Sequence, residues 1–187
     1  MDNQSHVLVV DDEADLADLY ASWLSAKHTV ETAHSGSEAI ENVHDSIDVV
    51  LLDRRMPGLS GNAVLEEIRE RHPECPVAMI TAVDPDFDIL EMGFDAYVTK
   101  PISAEELTTV VDCLLRRSEY TETLQEFFAK LSKRETLSSQ KPQFELESNE
   151  QYRKLEEDIE RLRKQSEEHI TELDDEDFEA LFHRLDA

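Results

Sequence analysis

Cysteine, glycine and positive charge are all scarce in this chain of 187 residues. Its two cysteines, Cys75 and Cys113, form no CxxC, so a disulfide framework is excluded and two reduced thiols of an intracellular protein are expected. Only four glycines are present, and none clusters after the first apolar run, which excludes a glycine-rich phosphate loop. No apolar run approaches the roughly 18 residues of a membrane span. The amino-terminal MDNQSHVLVV lacks both a basic region and a long apolar stretch, so a soluble cytoplasmic protein without membrane attachment is expected. The rarest commodity is positive charge: 18 Lys and Arg, seven of them lysine, stand against 44 Asp and Glu, a formal net charge of -26.

What is abundant is carboxylate on an otherwise foldable chain. Hydrophobic residues make up 40% of the sequence, enough for a core, although aromatics supply only 6%. Residues 1–118 hold 24 acids and 8 bases, and residues 119–187 hold 20 and 10, so neither half is merely an acidic tail. The acids alternate with regularly spaced apolar residues, which argues against disorder. Such a surface suits a protein that stays soluble at very high salt, where repulsion between carboxylates is screened.

Along residues 1–117 short apolar runs alternate with helical periodicities. The runs are VLVV at 7–10, a more polar edge segment at 28–33, VVLL at 49–52, VAMI at 77–80 and AYV at 96–98. Between them lie a helix to about residue 26 with Asp12 as its cap, a helix over 36–44 opened by Ser35 and Glu38, and one from about 63 that stops at His72-Pro73. A short helix over 84–92 closed by Gly93 follows, and Ser103 with Glu106 opens the last. Five βα repeats predict a parallel, doubly wound α/β sheet with helices on both faces. All strand carboxyl ends then share one edge, where such folds place ligands.

Four of those ends deliver polar groups: Asp11 and Asp12, Asp53, Thr81, and Lys100. Carboxylates crowded together repel, and a hard divalent cation such as Mg²⁺ relieves the repulsion. A carboxylate beside such an ion can attack phosphorus. The Lys100 ammonium, the Thr81 hydroxyl and the Ala82 amide would then face the transferring oxygens. A phosphatase of the haloacid dehalogenase type needs a second acid two positions after its nucleophile, and that position here is Arg55.

Asp11-Asp12, Asp53 followed by RRMPG, Thr81-Ala82 and Lys100-Pro101 resemble the receiver domain of two-component response regulators over residues 5–117. The resemblance implies a flavodoxin-like sheet of order 2-1-3-4-5 and Asp53 as phosphoacceptor. It makes Asp11 and Asp12 the Mg²⁺ acids, with Asp53 and the Arg55 backbone carbonyl completing the metal set. Thr81 and Tyr97 become the switch pair, Lys100 the phosphate-binding lysine, and Lys100-Pro101 a cis peptide. The protein would be a phosphoacceptor rather than a dedicated enzyme, its partner a histidine kinase or phosphorelay protein. The stretch from Thr81 to Lys100 is about one helical turn shorter than in most receivers, so the fourth helix should be abbreviated.

Residues 119–187 show no strand signal. Helices are expected over about 119–134, 149–173 and 175–185, with 135–149 as a polar loop, Ser148 and Gln151 opening the second helix and Asp174 the third. Tyr152, Leu155, Ile159, Leu162, Ser166, His169 and Leu173 fall at 3-4 spacing. The stripe has two uses, a helical hairpin within the chain or a coiled coil that makes a homodimer or docks a partner. The net charge of -10 and bases interleaved with acids argue against direct DNA binding. A receiver followed by such a tail is similar to haloarchaeal response regulators with a HalX domain. The tail is thus expected to serve output in signal transduction or transcription control, or only dimerisation and docking.

Overall fold

A computed structural model describes residues 4–117 and 122–170. Five strands form one parallel sheet: β1 (His6–Val10), β2 (Thr29–Ala33), β3 (Val49–Leu52), β4 (Val77–Thr81) and β5 (Ala96–Thr99). The sheet is parallel and doubly wound, as the alternating pattern predicts, and its order, β2-β1-β3-β4-β5, is the one the resemblance implies. β1, β3 and β4 are buried along almost their whole length because helices cover both faces, and such strands read as continuous apolar runs. β2, at the edge, is half-exposed, which accounts for its polar alternation.

The helices of this unit are α1 (Ala14–Leu24), α2 (Gly36–Asn42), α3 (Gly61–Arg71) and α4 (Ala104–Arg117). Val7, Val9, Val49, Leu51, Ala78 and Ile80 form one core with Tyr20 and Leu24 of α1 and Leu107, Val111 and Leu114 of α4. Helix starts follow local chemistry. Ser35 Oγ accepts from Glu38 N at 3.2 Å, and Ser103 with Glu106 makes the reciprocal capping box, Ser103 N donating to Glu106 Oε2 at 2.9 Å. Asp12 does not cap α1. The cap position is Glu13, whose side chain makes no capping bond, while its backbone N donates to Asp11 Oδ1 at 3.0 Å. The helix expected over 84–92, between β4 and β5, is abbreviated to a 3-10 turn over Phe87–Glu91.

The chain divides into two units, Met1–Asp84 with Glu91–Glu119, and Pro85–Leu90 with Tyr120–Ala187. In the second unit α5 (Glu122–Gln140), α6 (Gln143–Ser148) and α7 (Glu150–Ile170) follow one another. The polar stretch 135–149, expected as a loop, is therefore helical over most of its length. The hydroxyls of Thr136, Ser138 and Ser139 bond back to carbonyls of their own helix, and Leu137 is fully buried, so tertiary packing overrides their turn tendency. Asn149, not Ser148, opens α7, its Oδ1 accepting from Tyr152 N at 2.9 Å.

Tyr152, Leu155, Ile159 and Leu162 of α7 are buried in this unit, where α5 contributes Leu124, Phe127, Phe128 and Leu131, and Lys130 of α5 bonds Asp158 of α7 at 2.8 Å. The first four positions of the heptad stripe are thus spent inside the chain, as a hairpin requires. The side chains of Ser166 and His169, and Leu173 with the expected 175–185 helix, lie outside the described residues. Truncating Leu162, 1% exposed, to alanine should cost the helical unit about 3 kcal/mol by transfer and cavity terms. A denaturant titration of the full chain in high salt, followed by far-UV dichroism, checks this, and an unchanged midpoint would contradict the hairpin core.

Candidate functional site

The site is built by register. Val10 of β1 pairs with Leu52 of β3, so Asp11 and Asp53 leave neighbouring strands side by side. Thr81 of β4 pairs with Thr99 of β5, which brings Lys100 to the same edge, its backbone N donating to Thr81 O at 2.8 Å. Asp11, Asp53 and Thr81 are all buried. Lys100 Nζ lies 2.6 Å from Asp11 Oδ2 and 3.0 Å from Asp53 Oδ1.

The other oxygen of each carboxylate accepts from a backbone donor, Asp11 Oδ1 from Glu13 N and Asp53 Oδ2 from Arg55 N. The Arg55 N–Asp53 Oδ2 distance is 2.7 Å, and the bond fixes the carboxylate against its own loop. Gly58 adopts φ 79°, the left-handed region where a side chain is strained. Burial alone would lower the Lys100 pKa, but hydrogen bonds and charge from Asp11 and Asp53 outweigh it and hold the ammonium above its ordinary value. Tyr20 of α1 sits in the same field: burial raises its phenol pKa, with Lys100 opposing and Asp11 and Asp53 adding.

Around this centre the other expected residues take distinct places. Asp12 is exposed, as are Arg55 and Ala82. Thr81 Oγ1 accepts from Val83 N at 3.3 Å, and the largely buried Tyr97 donates its hydroxyl to Val83 O at 2.8 Å. The Lys100-Pro101 peptide is cis. The edge therefore unites Asp11, Asp53 and Lys100 by direct bonds and sets Thr81 and Tyr97 on a common loop residue. Among the described residues no group of three or more His, Cys, Asp or Glu is arranged as a ready metal cage.

Two contributors escaped the sequence reading. Arg54 donates to the Tyr97 hydroxyl at 3.5 Å, a bond between residues 43 apart that spacing cannot reveal. Gly61, the first residue of α3, comes so close to the end of β3 that a Cβ there would lie 2.1 Å from Asp53 O. Its own N donates to Arg54 O at 3.0 Å. A glycine opening a helix just after an N-cap serine was the available signal.

Comparison with known proteins decides the family. Residues 7–112 match the response regulator receiver domain. The chain belongs to the response regulator receiver family. Residues 116–182 match the HalX domain. A Haloferax volcanii protein described as a candidate transcriptional regulator is 53% identical over 134 residues, covering 71% of this chain and 23% of that protein. The transcriptional regulatory protein CpxR of Escherichia coli K12 is 37% identical over 123 residues, 64% of this chain and 53% of CpxR. The chain thus spans about a quarter to a half of the lengths of these relatives. The response regulator TrrA of Thermotoga maritima, solved in complex with Mg²⁺ and BeF, superposes with TM-score 0.54 at 32% identity, covering 60% of this chain and 100% of TrrA. Among the described residues no helix is long and apolar enough to cross a membrane.

Removing the Lys100 charge should expose what this arrangement costs. In Lys100→Met two buried carboxylates face each other with no cation between them, and a loss of about 3 kcal/mol is expected. Adding Asp53→Asn should recover much of it. Because the folded pKa of Lys100 is raised above the ordinary 10.5, its contribution is fully present below that pH and is lost only as pH rises through the raised value. Urea titrations of the two variants at neutral pH check the first expectation, and equal stability of wild type and Lys100→Met would refute it.

Proposed function

We propose that the protein is a two-component switch in which Asp53 accepts a phosphoryl group from a histidine kinase or phosphorelay protein. The observation that carries this reading is the buried Asp53 carboxylate, held by Arg55 N and shared with Asp11 through Lys100. An Asp53 oxygen attacks phosphorus as the nitrogen–phosphorus bond of the donor phosphohistidine breaks, and the departing imidazole takes up a proton. Lys100 pairs with the phosphoryl oxygens, and the Thr81 hydroxyl and Ala82 amide supply further donors. Tyr97 follows Thr81 as the second member of the switch, and Pro101 holds Lys100 at the edge.

The donor chemistry fits Mg²⁺. Asp11 and Asp53 are two buried carboxylates offset by a single ammonium, and exposed Asp12 adds a third acid next in sequence. Mg²⁺ takes one or two carboxylates and keeps several waters, so a closed cage is not required. Asp11, Asp12, Asp53 and the Arg55 carbonyl would hold the ion, which when bound neutralises charge developing on the phosphoryl oxygens. In this reading the chain is a phosphoacceptor with its own transfer and dephosphorylation chemistry, not a dedicated enzyme. It works in the cytoplasm, and the division into a receiver (1–118) and a helical output domain (119–187) follows function.

The names of the relatives support transcription control as the outcome. They do not require that the helices touch DNA, and the charge pattern opposes it. On α7, Lys154, Arg161 and Lys164 pair with Glu150, Asp158 and Glu160 at 3.0 to 3.4 Å, so these bases are already engaged.

Two outcomes test the proposal. Asp53→Asn should abolish Mg²⁺-dependent labelling by a small acyl phosphate, while the wild type is labelled; a variant that still takes up phosphate sinks the assignment. In an electrophoretic shift assay at multimolar salt, phosphorylated protein should leave promoter DNA unshifted. A salt-resistant complex would overturn the case against direct binding.

A further inference from the structure

Pro85–Leu90 begins four positions after Thr81, the end of β4, yet it belongs to the helical unit. Its contacts there are specific. Lys141, just past the end of α5, places Nζ 2.9 Å from Asp86 Oδ1 and 5.4 Å from the Phe87 ring centroid. Lys133 Nζ donates to Leu90 O at 3.4 Å, and Ile89 between them is fully buried. An ammonium that serves a carboxylate and an aromatic face together fixes two consecutive residues of the segment.

Upstream, residues 81–83 are fixed by other bonds. Val83 N donates to Thr81 Oγ1 at 3.3 Å, and the Tyr97 hydroxyl donates to Val83 O at 2.8 Å. Only Asp84 separates Val83 from the captured segment. For the Thr81 hydroxyl to turn toward a group on Asp53, its bond with Val83 N must change. A residue spans at most about 3.6 Å of chain, so a shift at 81–83 reaches Pro85 with little slack.

We propose that Lys141 is a latch: by gripping Asp86 and Phe87 it holds the loop after β4 in the arrangement in which Val83 bonds Thr81 and Tyr97. Phosphorylation of Asp53 and release of residues 85–90 then favour each other, because linkage between two sites is reciprocal. This rests on the reading of Asp53 as the phosphoacceptor. The latch supplies the helical unit with its means of sensing that event through the covalent chain, with no further partner required.

Asp86→Asn and Lys141→Met each remove the ion pair. Asp86 has a side chain 65% exposed, so its replacement does not threaten the fold. Each variant of the full chain should be labelled by a small acyl phosphate and Mg²⁺ about fivefold faster than the wild type, at the scale of a modest coupling. The double variant should match the singles, since both break one contact. In the wild type, beryllofluoride with Mg²⁺ should speed hydrogen exchange at amides 86–90 while protecting amides 54–56. Protection at 54–56 with unchanged exchange at 86–90, and wild-type labelling rates in both variants, would overturn the latch and leave the Asp53 reading intact. No protection at 54–56 would overturn both.

Discussion

The Lys100 ammonium, 2.6 Å from Asp11 and 3.0 Å from Asp53, ties together the carboxyl ends of β1, β3 and β5. Two carboxylates this deeply buried repel one another and lose hydration, and one ammonium offsets only one of them. The backbone supplies what the charge balance lacks: Glu13 N and Arg55 N each donate to one of the acids. Two acids and a single ammonium thus meet at this edge among buried residues. The parallel sheet places these residues, and the Lys100 ammonium holds the two acids together.

The rest of the molecule's charge is of another kind. Among the described residues most acids are exposed, and several pair only along one helix, such as Glu150 with Lys154 and Glu160 with Lys164. At molar salt the screening length falls to about 3 Å, so such surface charges interact weakly beyond contact. The Asp11–Lys100–Asp53 cluster is sheltered from that screening by burial. One chain can therefore carry a surface suited to brine and a site whose electrostatics survives it.

The first four positions of the heptad stripe, Tyr152, Leu155, Ile159 and Leu162, show how a pattern can be legible and still leave its use undecided. Its spacing requires a partner surface but does not say whose. The structure answers from within the chain, with α5 supplying Leu124, Phe127, Phe128 and Leu131 to the core of the same unit. The same unit takes up Pro85–Leu90, a segment distant in sequence from either helix.

Residue order alone determined the alternation of strands and helices and which polar groups follow the strands. Strands buried on both faces must be apolar throughout, so VVLL ending in Asp53 and VAMI ending in Thr81 are legible without coordinates. Capping boxes at Ser35 and Ser103 were legible for the same reason, because their physics is confined to one helical turn. Tertiary structure decided what depends on distant neighbours. Leu137 drew the polar stretch after residue 134 into α5, and Gly61 was needed only because β3 ends against the start of α3. Asp12 was left exposed while Asp11 turned inward to Lys100, and residues 85–90 joined helices that begin more than 30 positions later. Local patterns fix which groups a strand or helix can present; which surface receives them is set by packing between segments far apart in sequence.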